Sequence, residues 1–262
     1  MGHLGADGKA TLLPVARSFN LRSFRHWLKA ALLPVTMTVR DGPLKGARWA
    51  ATSGMRFVRG NFEPYKTDAL LEALRCGDVV LDVGAHVGYY TVIAARAVGQ
   101  EGRVAAFEPR PMTARFLRRN VELNSLSNVR VYEAAVGEQA GTAWFEGRTG
   151  TGTGHLAARG DIEVPVLVLD ELVESGELPP PSLIKIDVEG GELDVLNGAM
   201  RTLNAHRPVL LLATHGETLH RDCLAMLERL QYKWRILDPG GESGDIEILA
   251  WPLPPSDKSH GT

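Results

Sequence analysis

Cysteine is nearly absent: Cys76 and Cys223 are the two in 262 residues, and neither sits in a CxxC pair. That excludes a disulfide framework and a cysteine-built zinc cluster. Two reduced, partly buried thiols suit a reducing compartment, and a cytoplasmic location is the expectation. Long apolar runs are missing too, so no segment reads as a membrane span. The opening MGHLGADGKATLLPVARSF has neither an uninterrupted apolar core of signal-peptide length nor a clear cleavage site. There is no excess of either charge. Lys and Arg number 29 against 31 Asp and Glu, a formal net charge of -2, which gives the whole chain no electrostatic case for binding nucleic acid. No internal repeat of solenoid type is found.

What is present reads as an ordinary globular protein, with 44% hydrophobic and 23% charged residues and enough length to bury a sizeable core. Four zones follow one another. Residues 1 to about 35 are basic and amphipathic; with the following β segment they form an accessory segment over 1–60. Within it, SFNLRSFRHWLKAALLP carries Arg22, Arg25 and Lys29 beside Phe19, Phe24, Trp27, Leu28 and Leu32. Such a helix could rest weakly on an anionic membrane, or pack its apolar face on its own domain, which is the expectation. Residues of about 36–60 alternate and contain the turn Asp41-Gly42-Pro43, which suggests a small β segment. Residues 61–251 form the main domain. Residues 252–262 lack core-forming side chains and read as a mobile tail.

The main domain alternates strand and helix patterns. Strands are expected at 79–83, 104–108, 129–136, 182–188 and 209–214. Helices are expected at 88–98, closed by Gly99, at 111–123 with Pro111 in the first turn, at 192–203 and at 217–230. The alternation implies an α/β fold, with a doubly wound, mostly parallel sheet covered by helices on both faces. Segments 232–237 and 246–251, joined by Asp238-Pro239-Gly240-Gly241, break the pattern as a terminal antiparallel hairpin.

The sharpest local signal is VVLDVGAHVGYYT at 79–91. A strand runs into Asp82, then a loop with Gly84 and Gly88, then a helix. Glycines there let backbone pass close to a ligand, although a tight turn without a ligand has the same pattern. Glu108 tips the balance. It ends the next strand, where a carboxylate can accept hydrogen bonds from vicinal ribose hydroxyls; otherwise it would serve as a helix N-terminus carboxylate. Together they imply an adenosine cofactor. A dinucleotide fingerprint needs glycines where this chain has His86 and Tyr89, and those side chains would crowd a pyrophosphate. S-adenosylmethionine has no pyrophosphate to place there, and Asp82 can face its amino group directly or through water. The terminal hairpin also favours a methyltransferase sheet over an all-parallel dehydrogenase sheet.

Here a resemblance becomes specific. GNFEPYKTDALLEALRCGDVVLDVGAHVGYYT, the FEP at 107–109, NVELNSLSNVRVYEAAVG at 120–137 and above all LIKIDVEGGELDVLNGA at 183–199 resemble the FkbM-type family of S-adenosylmethionine-dependent methyltransferases. The resemblance covers about residues 60–215. It implies a class I, Rossmann-like sheet of seven strands. It also implies methylation of a hydroxyl on a small molecule such as a sugar or natural product. The cofactor would meet Asp82, Gly84, His86, Gly88, Tyr89, Glu108, Pro109, Ala134, Ala135 and Asp187. The family commonly has Asn where this chain has His86. It often has an acidic residue where Ala213-Thr214 precede His215-Gly216.

The reacting groups should lie at strand ends. In IKIDVEG, Lys185, Asp187 and Glu189 alternate with apolar residues and share one face if the segment stays extended. Asp187 and Glu189 are candidate catalytic or substrate-binding carboxylates. The competing role is structural, with Lys185 pairing a carboxylate and Glu189 capping the helix that begins near Gly191. His215 ends the fifth strand, and histidine titrates in the range of a base. It could equally be a packed loop residue. A metal site from Asp187, Glu189 and His215 is chemically conceivable, but no sequential ligand spacing supports one, so none is expected. Gly147–Gly160 reads either as a substrate lid or as a flexible insertion. Three functions stay open: a small-molecule O-methyltransferase, with a macromolecular acceptor as its variant; a nicotinamide-dependent oxidoreductase; and a non-catalytic module of the same fold.

Overall fold

The computed structural model describes residues 35–145, 156–157, 162–237 and 245–254. The basic helix expected before residue 35, the turn at 238–241 and residues 255–262 lie outside them. Among the described residues, no helix is long and apolar enough to cross a membrane.

The strands in chain order are β1 (Thr36–Thr38), β2 (Arg48–Ala50), β3 (Val79–Val83), β4 (Arg103–Phe107), β5 (Val129–Tyr132), β6 (Ala135–Val136) and β7 (Gly141–Phe145). They continue with β8 (Leu156–Ala157), β9 (Ile162–Leu167), β10 (Leu183–Ile186), β11 (Val209–His215), β12 (Tyr232–Ile236) and β13 (Asp245–Pro252). The α-helices are α1 (Met55–Arg59), α2 (Pro64–Ala73), α3 (Tyr89–Val98), α4 (Pro111–Leu123), α5 (Leu169–Glu174), α6 (Glu192–Asn197), α7 (Met200–His206) and α8 (Glu217–Arg229).

Seven strands make the main sheet, in the order β12-β13-β11-β10-β3-β4-β5. The inner strands pair in parallel, and β13 runs antiparallel to both β11 and β12. The doubly wound sheet with its terminal antiparallel hairpin is therefore present. The central strands are apolar and buried because helices cover both faces. Val80, Leu81 and Val83 on β3, Leu183, Ile184 and Ile186 on β10, and Leu210, Leu211 and Leu212 on β11 are all nearly inaccessible. The chain winds outward from β3 to β5, then returns to β10 on the other side of β3. The strand order thus reverses between β3 and β10, the crevice where open sheets of this kind bind ligands.

Several expected elements take a different form. The strand expected over 129–136 is two: β5 stays in the main sheet, and β6 crosses to a second sheet of order β6-β9-β7-β8. That four-stranded sheet was not read from the sequence, and β8 comes from within the Gly147–Gly160 stretch. The helix expected over 192–203 breaks at Gly198-Ala199 into α6 and α7. A Cβ on Gly198 would stand 2.1 Å from the Gly137 carbonyl oxygen, so backbone contact with the loop after β6 sets the break. The segment 36–60 is β only at β1 and β2, then turns helical at α1. It shares one core with the main domain: fully buried Trp49 packs in a cluster with Phe57, Tyr89 and Tyr90. Asn120 of α4 bonds the Ala50 amide and the Val87 carbonyl, tying the two parts at 2.8 Å each.

Candidate functional site

A cavity of about 460 Å³ opens over the carboxyl ends of β3, β4, β10 and β11, a size suited to a small ligand. One half is apolar with a single carboxylate. Val83, Ala85, Phe107, Ala134, Ala135 and Val136 line it. Glu108, only 4% exposed, stands at the end of β4 and accepts from the backbone amides of His86 and Arg110, both at 3.0 Å. Burial raises its pKa, and the Arg110 guanidinium opposes the rise. Each carboxylate oxygen can accept more than one hydrogen bond, so capacity remains for a ligand's hydroxyls.

The β3–α3 loop forms the floor. Gly84 has φ 78° and packs so closely that a Cβ would lie 1.8 Å from the Asp187 carbonyl oxygen. His86 has φ 51°, a left-handed backbone more usual for Asn, Asp and His than for other side chains. Gly84, His86, Tyr89, Pro109, Ala134 and Ala135 all line the cavity. Asp82 and Gly88 are not on its wall. The Asp82 side chain is buried beneath the loop, bonded at 2.5 Å by the Thr91 hydroxyl and 3.2 Å from Lys185 Nζ. Gly88 has φ 91°, a left-handed backbone that favours glycine, and a Cβ there would also press on the end of the Leu117 side chain at 2.5 Å.

The other half is acidic. β10 stops at Ile186, one residue short of Asp187, so the extended run to 188 does not form. Asp187 still donates its amide to Val83, while Glu189 turns into the cavity through a left-handed backbone with φ 61°. The fold nonetheless collects Asp187, Glu189 and His215, with ligand atoms all within 4.8 Å of one another. His215 Nε2 lies 3.9 Å from Asp187 Oδ1 and 3.6 Å from Glu189 Oε2. Glu189 does not cap α6. Glu192 serves that end instead: its Oε1 accepts from the Val188 and Gly190 amides and meets His215 Nδ1 at 2.8 Å. Burial alone would lower the His215 pKa, but the bond to Glu192 and the charges of Glu192, Asp187 and Glu189 push it up to about 9. That shift favours the protonated imidazole at neutral pH.

Two lysines neutralise part of this acidity. Lys66, 2% exposed on α2, bonds Asp187 Oδ2 at 2.7 Å and Glu247 Oε1 at 2.6 Å. Burial opposes its charge, yet Asp187, Glu247 and Glu63 together raise its pKa above the ordinary lysine value. Asp187 likewise stays ionised: its burial is outweighed by Lys66 and Lys185, which hold its carboxyl well below the usual range. Lys185 Nζ donates to the Gly84 carbonyl at 2.9 Å, linking β10 to the loop. Lys66, Glu192, Glu247, Glu63 and Tyr90 were not singled out from the sequence. Glu192 lay inside the IDVEGGELDVLNGA motif, and Lys66 inside the first resembling stretch, so the motifs carried the signal.

Residues 82–234 match the model of the methyltransferase FkbM domain. The chain is 34% identical over 138 residues to the hexuronic acid methyltransferase AglP of Haloferax volcanii, covering 52% of this chain and 56% of that protein. It is 29% identical over 143 residues to Methyltransferase 1 of Beauveria bassiana, covering 45% and 57% respectively. The chain therefore matches just over half the length of each of these curated relatives. Among solved structures, methyltransferase FkbM from Methylobacillus flagellatus superposes with a TM-score of 0.54 at 18% identity, over 88% of this chain and 59% of that one. An O-methyltransferase structure from Klebsiella pneumoniae gives 0.51 at 16% identity, over 88% and 97%. At such identities the likeness is one of fold.

Proposed function

Because the chain belongs to the methyltransferase FkbM family, we propose that it transfers a methyl group from S-adenosylmethionine to a hydroxyl oxygen of a small acceptor of the sugar or natural-product class. The carrying observation is one cavity that joins an apolar half, walled by Ala85, Ala134 and Ala135 and edged by buried Glu108, to a polar half holding Asp187, Glu189 and His215. The sugar class draws on the Haloferax relative, whose name gives hexuronic acid as its substrate.

The residues fit the cofactor. The apolar wall would take the base, Glu108 would accept the ribose hydroxyls, and the Gly84–His86 backbone would border the methionine portion. The cofactor would supply a methyl on a sulfonium sulfur for transfer to the acceptor oxygen, leaving as its demethylated, uncharged form. Displacement of this kind gains most from alignment and from exclusion of water. Asp187, fixed by Lys66 and Lys185, forms a rigid anionic wall at the junction of the halves. Glu189 faces the acceptor space, and burial raises its pKa above that of an ordinary carboxylate. It therefore accepts the hydroxyl proton as the oxygen is methylated.

Incubation with methyl-labelled cofactor and a panel of hydroxylated sugars and sugar acids, read by mass spectrometry, tests this. Label should appear on oxygen. Glu189→Gln should keep binding of the demethylated cofactor while turnover falls by roughly 100-fold. Label found only on nitrogen or carbon acceptors, or full turnover in Glu189→Gln, would overturn the reading.

A further inference from the structure

The polar half holds more carboxylates than its cations answer. Lys66 is engaged by Asp187 and Glu247, and Lys185 by Asp82 and the Gly84 carbonyl. Among the described residues, the only ionisable partner within ion-pair distance of Glu189 or of Glu192 is His215. Asp245, which also lines the cavity, has no such partner there.

The contacts of His215 are unequal. Its Nδ1 makes a true hydrogen bond to Glu192, a residue with no exposure, at 2.8 Å. Its Nε2 points at Glu189 Oε2 and Asp187 Oδ1 but stays 3.6 and 3.9 Å away, too far for a hydrogen bond to either. Two atoms bound to a common divalent cation at about 2.1 Å stand about 3.0 Å apart at a right angle and about 4.2 Å apart when opposed. The two spacings from His215 Nε2, 3.6 and 3.9 Å, fall between those limits. The oxygen of Asp187 facing the gap is Oδ1, whereas both lysines approach Oδ2. A buried carboxylate bonded to the far nitrogen of an imidazole is the arrangement that fixes the tautomer and direction of a ligating histidine.

We infer that Asp187 Oδ1, Glu189 Oε2 and His215 Nε2 form a binding site for one divalent cation, with Glu192 orienting the imidazole. Nε2 ligates only as neutral imidazole, so binding the cation would displace its proton to solvent, and three protein ligands leave coordination positions open toward the cavity. The mixed nitrogen and oxygen set, rich in carboxylate, suits a cation of the Mn²⁺ class. Such a cation would hold the acceptor hydroxyl and lower the cost of removing its proton. Holding it through Oε2 leaves the second oxygen of Glu189 to the acceptor proton. The role in transfer rests on the function proposed above; the binding itself does not.

The test titrates Mn²⁺ into the full chain after chelator treatment, with and without demethylated cofactor. Free ion is followed by its electron paramagnetic resonance. Saturable binding to one site is expected, weakened by about ten-fold or more in Glu189→Gln and in His215→Ala. Glu189→Gln alters a partly exposed side chain and keeps the fold measurable. Absence of saturable binding, or equal affinity in both variants and the unaltered protein, overturns the site. Binding is read without turnover, so the two readings fail separately. Mn²⁺ bound here with no methyl on any hydroxyl sinks the function alone. Hydroxyl methylation at full rate with no Mn²⁺ bound sinks the cation alone.

Discussion

Glu192 and His215 meet at 2.8 Å through Oε1 and Nδ1, joining the start of α6 to the end of β11 beneath the cavity. The bond ties protonation to folding. The His215 pKa is pushed up to about 9 in the folded chain, against about 6.5 when unfolded. A group whose folded pKa is raised stabilises fully below its unfolded pKa and loses that contribution as pH rises through its folded pKa. In chelator-treated protein, stability should therefore fall between about pH 6.5 and 9, by at most about 3.4 kcal/mol and by less to the extent that solvent screens the partly exposed ring. Urea unfolding across that window, compared with Glu192→Gln, isolates the effect. Parallel curves for the two proteins would show that Glu192 does not hold the proton.

Lys66 bridges two carboxylates from distant parts of the chain, Asp187 after β10 and Glu247 on β13. Replacing it with Met leaves both anions without their shared ammonium. Removing one partner of a buried charge group costs about 3–5 kcal/mol, because uncompensated charge remains. Lys66→Met should lose that much in denaturant unfolding, and Lys66→Met combined with Glu247→Gln should recover part of it. A loss confined to the range of surface substitutions, about 0.5 kcal/mol, would mean that water screens the group.

Glu108 is the test of the cofactor half. Glu108→Ala should weaken binding of S-adenosylmethionine and of its demethylated product by about 1–3 kcal/mol, the cost of unpaired ribose hydroxyls. Calorimetry should show little binding of NAD to either protein. Tight NAD binding with no heat from S-adenosylmethionine would reverse the choice of cofactor made from His86 and Tyr89.

The main sheet was legible because its signals are local. Period, length and capping place β3, β4, β11 and α3, and the Asp238–Gly241 turn residues predict the hairpin of β12 and β13. The second sheet was not, because Ile162–Leu167 contains Pro165, which lowers a strand's signal, and β8 has only two residues. In the site, strand-end position sufficed to nominate Glu108, Asp187 and His215. It could not show that Lys66, far away in sequence on α2, reaches across to Asp187. Nor could it show that Asp82 would turn away to Lys185 and Thr91, since direction within a loop depends on long-range partners.

Gly84 joins the two kinds of information. Its glycine was read as room for a ligand, and the structure adds a second demand from the protein. With φ 78°, the position strains any L side chain, and a Cβ would meet the Asp187 carbonyl oxygen at 1.8 Å. The obstacle is backbone, held in turn by the Asp187 amide bond to Val83 and by Lys185 on the Gly84 carbonyl. Nothing flexible can yield, so Gly84→Ala should push β10 from the loop and open the floor shared by both halves. Unfolding should show a loss of more than about 1 kcal/mol, above that of a compatible Gly-to-Ala change, which is commonly stabilising. Affinity for the demethylated cofactor should drop with it. Gly77→Ala is the control, because Gly77 has a similar φ of 87° but no atom within 4 Å of a Cβ. Equal losses at the two positions would assign the whole effect to backbone strain and remove the contact with Asp187 from the argument.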